Sequence, residues 1–246
     1  PGEPALSGTA FIAAVELAAG PPADHPVYRF FDVSIPFKLK RDVLTVTGLT
    51  ANAVSGKLMA TSTVEFGIWP VQHESELRWE GVRVEELPTG PQGEHGFSAL
   101  IRAASTGRAR VVGQGGDLDL LAAQGEVTLD DPDFLFLRRL EPTLSGYGLP
   151  VPPTHGTGPC RAQLSIADGA IDITGIHGVL QGLTFSGDVR ARFDAAISGR
   201  IKVTLEPEFL AQSPTLGAGA GLGPIDVPMT VGGSVSAPAI GVDVGR

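Results

Sequence analysis

Leu44-Thr45-Val46-Thr47-Gly48-Leu49, with Gly56 opening the next run, and Ile171-Asp172-Ile173-Thr174-Gly175-Ile176, with Gly182 opening the next, are two copies of one phrase. Each copy alternates apolar and polar residues, reaches a glycine, and meets a second glycine that starts a new alternating run. A degraded middle copy reads Asp117-Leu118-Asp119-Leu120-Leu121, with Gly125 ahead of Val127-Thr128-Leu129. Alternation with period two puts successive side chains on opposite faces of a strand. A repeated strand–turn–strand unit points to a quasi-one-dimensional β architecture, which works through a long surface rather than a catalytic pocket. The copies are unevenly spaced, so the repeat is loose.

The same grammar extends outward from these copies. Residues 5–17 read as a strand that Pro21-Pro22 breaks. In residues 27–39, Phe31, Val33, Ile35, Phe37 and Leu39 fall on one face and Asp32, Ser34, Pro36 and Lys38 on the other. Pro36 cannot donate a ladder hydrogen bond, which predicts an edge position or a bulge. Arg41-Asp42 turns the chain. Strands are predicted at 57–69 and 74–87, with Gly81 shifting the phase from Leu77 and Trp79 to Val82 and Val84, as a bulge does. More follow near 97–103, 107–113, 117–122 and 125–130. Asp131-Pro132-Asp133 predicts a helix start, with Asp131 as cap and Phe134, Leu137 and Leu140 as its apolar stripe, ended by Pro142. The C-terminal part alternates again through Leu164/Ile166, Ile171/Ile173, Leu183/Phe185, Val189/Ala191/Phe193 and Ile201/Val203/Leu205. Asp168-Gly169 is a tight hairpin signal, Glu206–Leu210 a second short helix, and 225–231 and 239–244 the last strands. The predicted segments are therefore 1–141, a Pro/Gly-rich connection over 142–159, and 160–246, in one continuous domain or two.

Short connections require antiparallel neighbours, and glycines at matching points would bend successive strands into a trough. The predicted fold is all-β: a curved, mostly antiparallel sheet forming an open groove, with one to three short helices. The residues expected to line it are Phe31, Val33, Ile35, Phe37, Leu44, Val46, Leu118, Leu120, Ile171, Ile173, Val189, Phe193, Ile201 and Val203. Any β protein has apolar faces, so an ordinary packed core stands beside the groove as an equal reading.

Composition narrows the partners. Charged residues make up 18% of the chain, against about 25% in a typical soluble domain. The net charge of −9 and the absence of a basic stripe disfavour nucleic acid and electrostatic adhesion to anionic membranes. Lipid contact would have to run through acyl chains. The single cysteine, Cys160, cannot form an internal disulfide and reads as a buried thiol. No stretch approaches the roughly 18 apolar residues of a membrane span. The abrupt start at Pro1, inside a strand region, suggests a piece of a larger protein with a targeting segment upstream.

Catalytic constellations are missing from the sequence. His25, His73, His95, His155 and His177 lack metal-ligand spacing. There is no Gly-x-Ser-x-Gly elbow, and the Gly-rich run 217–223 lacks the Lys-Ser/Thr of a phosphate loop. Asp130, Asp131 and Asp133 fit a helix cap better than a calcium loop. Glu74, Glu76, Glu80, Glu85 and Glu86 read as a solvated sheet face. No enzyme activity, metal or cofactor is expected.

The stretch Ile166–Ile173 through Gly182–Val189, and the ending Ile225-Asp226-Val227-Pro228-Met229-Thr230-Val231-Gly232-Gly233 through Pro238-Ala239-Ile240, resemble the carboxy-terminal region of AsmA-like proteins. TamB-like proteins and, more weakly, the N subunit of type II secretion systems share the pattern. The likeness covers about 160–246, and 28–87 more loosely. It implies a bacterial envelope protein, anchored in the inner membrane through a segment this chain lacks, projecting into the periplasm. It also implies a β-groove carrying phospholipid or other acyl-chain lipid toward the outer membrane. Open strand edges would allow end-to-end contacts with a neighbouring repeat or copy. The alternative is a structural or assembly module.

Overall fold

The computed structural model describes residues 5–18, 27–53, 55–87, 98, 100–115, 120–146, 148–213, 223–235 and 237–243. Thirteen strands follow one another: β1 Ala5–Ala18, β2 Val27–Lys40, β3 Val43–Ala53, β4 Gly56–Glu65, β5 Gln72–Arg83, β6 Arg102–Gln114, β7 Ala122–Asp133, β8 Cys160–Ala167, β9 Ala170–Leu180, β10 Leu183–Arg192, β11 Ile197–Leu205, β12 Ile225–Gly233 and β13 Pro238–Val242. Each pairs antiparallel with the next, giving one sheet in strict sequence order in which β1 and β13 do not pair with each other. The all-β, antiparallel, unclosed sheet is the fold predicted from the alternation. A 3-10 turn at Val84–Glu86, where the strand expected to 87 stops, a 3-10 helix over Leu135–Leu140, α1 at Glu141–Ser145 and α2 at Pro207–Leu210 accompany it.

Tight turns place residues in left-handed backbone, whether or not the residue type favours it. Arg41 (φ 52°) closes the β2–β3 hairpin, and Asp168 and Gly169 (φ 51° and 67°) close β8–β9, as Asp-Gly predicts. Connection 134–159 spans one end of the sheet between β7 and β8, which pair directly.

Bulges bend the strands; four carry a left-handed residue, and a further one shifts the β3–β4 register between Val46 and Leu49. Gly81 (φ 68°) shifts the β5–β6 register between Trp79 and Val82, as expected from the sequence. Gly175 (φ 63°) does the same in β9. The other two residues are aspartates: Asp32 (φ 51°) in β2 and Asp131 (φ 49°) in β7. Asp visits this region more readily than most residues because its short side chain bonds locally; Asn52 Nδ2 donates to Asp32 Oδ2 at 2.9 Å. Each extra residue inverts the alternation. Residues at i and i+3 around it, such as Phe30 and Val33 or Ile173 and Ile176, therefore share a face.

Several sequence expectations change as a result. Asp131 is a bulge inside β7 and not a helix cap. The strand runs on to Asp133, and Pro142 stands in the first turn of α1 instead of ending a helix. The stripe itself is real, since Phe134, Leu137 and Leu140 are all buried. Of the two places expected for Pro36, the edge is excluded and the irregularity is observed: it lies within the β2–β3 register shift between Ser34 and Phe37. The strand expected near 97–103 is absent over its described residues up to Ile101, and β6 begins at Arg102.

The main core is lopsided. Phe134, Leu137, Leu140 and Leu144 pack with Leu183, Phe185, Val203, Leu205, Phe209, Leu210 and Met229. The rings of Phe134 and Phe136 meet Phe185 edge-on at 4.6 and 5.5 Å, a favourable aromatic geometry. Buried apolar residues of β2–β6 are small by comparison: Val33, Ala51, Ala53, Ala60, Val82, Ala103 and Ala109. There the large residues of the same face, Phe30, Leu58 and Trp79, are only half-buried.

Candidate functional site: an apolar trough

The concave face encloses a cavity of about 540 Å³, lined by side chains from β2 through β13. That volume lies within the range of small-molecule sites, about 300–1,000 Å³. Its floor is built by strand register. Leu58 stands opposite Trp79, Trp79 opposite Gly107, Gly107 opposite Val127, and Val127 opposite Ala162. A second row runs Leu77, Ala109, Gly125, Leu164 and Ile173.

Large residues face small ones along these rows. Gly107 lies directly under the Trp79 ring, where a Cβ would collide with the indole and would also approach Glu126 O at 2.5 Å. Gly178 makes the same room for Phe185 and Gly113 for His73, while a Cβ at Gly8 would only touch Phe37 tightly, at 3.3 Å. In all four pairs the aromatic residue and the glycine are direct cross-strand partners. Laying rings flat over glycines fills the gap a missing side chain leaves and keeps the floor smooth.

Few polar groups stand in the wall, and Trp79, Ser105, Cys160 and Arg29 among them have partners. Trp79 Nε1 donates to Ser105 Oγ at 3.1 Å. Cys160 is 2% exposed, and burial pushes its thiol up against a smaller opposing effect from a backbone hydrogen bond of His177. Burial likewise raises the Tyr28 phenol at the margin of the trough. Arg29 reaches outward to Glu16 at 2.8 Å. Over its described residues the floor thus offers hydrocarbon, with the Tyr28 phenol at its margin. Among the described residues no group of three His, Cys, Asp or Glu could hold a metal.

The predicted lining residues divide. Ile173, Val189 and Ile201 line the cavity. Val33, Ile35, Phe37, Leu44, Val46 and Ile171 share its face, but lie outside the enclosed part. Phe31 does not share it. The bulge at Asp32 turns Phe31 to the outer face opposite Asn52, where it is 48% exposed, and brings Phe30 inward opposite Ala53. Val203 is fully buried in the sealed cluster, between Phe185 and Val227 on the neighbouring strands. Phe193 lies past the end of β10 in a turn. Leu120 is half-exposed ahead of β7, and Leu118 lies outside the described residues.

Reading the sequence missed Phe30, Leu58, Val127, Ile176 and Phe185 as lining residues. The signal for Phe30 and Ile176 was present as an i, i+3 apolar pair around Asp32 or Gly175. The chain matches no family model, no curated protein and no solved structure. No described helix is long and apolar enough to cross a membrane.

Proposed function

We propose that this chain is a non-enzymatic lipid-binding module whose trough holds acyl chains while headgroups stay in water. One observation carries the reading. An apolar face runs the length of an unclosed sheet, and over β2–β6 its large side chains are only half-buried. Apolar surface left incompletely covered is costly in water, and a contiguous face of it marks a binding surface. Each methylene buried there contributes roughly 0.8 kcal/mol, so affinity accrues along the chain without a specific pocket. Neighbouring rows are chemically alike, which makes sliding inexpensive. The resemblance to AsmA-like proteins supports transfer of phospholipid between bacterial membranes, on the periplasmic side, with anchoring supplied by a segment or partner outside this chain.

The covered cluster of the C-terminal half favours a second reading, an assembly module whose bare half packs on another protein. Native mass spectrometry of the purified chain, with photocrosslinkers at Leu58, Val127 and Ile173 and a control at Thr61, separates the two. Thr61 pairs with Glu76 on the outer face. Lipid adducts at the three inner positions and none at Thr61 are expected. Lipid-free protein with no adducts would leave the assembly reading.

A further inference from the structure

The two ends of the strands differ. At one end the long connections fold inward, burying Phe134, Leu137, Phe209 and Leu210. At the other, short turns project, and the β4–β5 turn presents Phe66, Ile68 and Trp69 at 52%, 49% and 90% exposure. Its six residues, Phe66-Gly67-Ile68-Trp69-Pro70-Val71, carry no charge. Leu120, on the neighbouring turn, is 51% exposed.

This tip is held in place. Phe66 N donates to Asp42 O at 2.7 Å, and Gly115 N donates to Val71 O at 2.6 Å, so the turn is tied to the hairpins on both sides. Gly67 sits close against Asp42, where a Cβ would come within 3.1 Å of its side chain. An indole standing almost wholly in water on a fixed support exposes apolar area that no intramolecular contact uses.

We infer that the β4–β5 tip inserts into the interfacial zone of a lipid bilayer, with zwitterionic phospholipid as its occupant. Trp is the residue that favours that zone, since its ring is apolar and its N–H polar. A chain of net charge −9 gains nothing from an anionic surface, whereas an uncharged apolar tip needs no electrostatic attraction. Area argues against a second protein. Aromatic residues bury about 150–250 Å² each, so two of them with one isoleucine fall short of the ~800 Å² per partner of a standard interface. A narrow wedge suits a fluid phase that closes around it. This inference concerns a surface other than the trough, and its test reads out separately.

The test adds phosphatidylcholine vesicles to the 246-residue chain and follows Trp fluorescence and flotation. Trp79 is the only other tryptophan, and a Trp69→Phe variant isolates the Trp69 signal by difference. A blue shift of Trp69 and quenching by bromolipid are expected. Trp69→Ala should weaken vesicle partitioning about tenfold, as expected when one large apolar side chain is withdrawn from an apolar phase. No flotation, or flotation unchanged in Trp69→Ala, overturns the inference. A blue shift that grows with protein concentration in the absence of vesicles also overturns it, in favour of self-association. Lipid crosslinks in the trough together with indifference to vesicles would overturn the tip alone; vesicle binding with an empty trough would overturn the trough alone.

Discussion

Placing a carboxylate on the concave face distinguishes a trough from a core, and two positions make the comparison internal. Val203 is fully buried between Phe185 and Val227 on neighbouring strands, beneath the 134–149 segment and α2. Val203→Asp buries a charge with no partner, which costs about 3–5 kcal/mol. At about 2–4 °C per kcal/mol for a chain of this size, the midpoint should fall by roughly 6–20 °C. Ile173 is half-buried and borders the cavity. An aspartate there can keep water, so the loss is only part of the ~1.5–3 kcal/mol that full burial of an isoleucine contributes, about 1 kcal/mol. Ile173→Asp should therefore melt within a few degrees of the parent and lose lipid adducts at Leu58 and Val127. The assay is a thermal melt by circular dichroism followed by lipid photocrosslinking on the same samples. If Ile173→Asp destabilises as strongly as Val203→Asp, the concave face is sealed and the trough reading fails. If it melts normally but crosslinks lipid as before, Ile173 is not part of the path.

Other consequences follow from single residues. Gly107→Ala should destabilise by about 1–3 kcal/mol, as overpacking does, because its Cβ meets both the Trp79 ring and Glu126 O. Gly81→Ala meets nothing within 4 Å and carries only the left-handed strain of φ 68°, about 1–2 kcal/mol. Denaturant titrations of both, with Trp79 fluorescence perturbed only in Gly107→Ala, check the difference. The Cys160 thiol, raised by burial, should resist alkylation at neutral pH until the chain unfolds. Because the folded state holds that proton more tightly, its stabilising effect is complete below about pH 8.5, where a free thiol ionises, and is lost as pH rises through the higher folded value. Cys160→Ala should flatten that alkaline decline in a pH series of melts.

Strand content, antiparallel order and most turns were legible in the sequence. Alternation fixes a strand's two faces locally, Asp168-Gly169 needs only its own backbone preference, and the Gly81 bulge announces itself by the phase change from Trp79 to Val82. The Asp32 bulge was not legible, because Phe31-Asp32-Val33 alternates perfectly well as a straight strand. Asp32 takes the left-handed conformation in register with β3, where Asn52 can bond its carboxylate, and that one residue exchanges Phe30 for Phe31 on the inner face. Asp131 misled in the same way, since Asp-Pro-Asp suits a helix start as well as a strand bend. The division of the concave face lay furthest from the sequence. Val203 and Ile173 sit in equally regular alternation, and nothing local distinguishes them. The difference arises because the 134–149 segment and α2, distant in the chain, fold across β9–β12 and not across β2–β6, and burial depends on what lies above a residue rather than on its own strand.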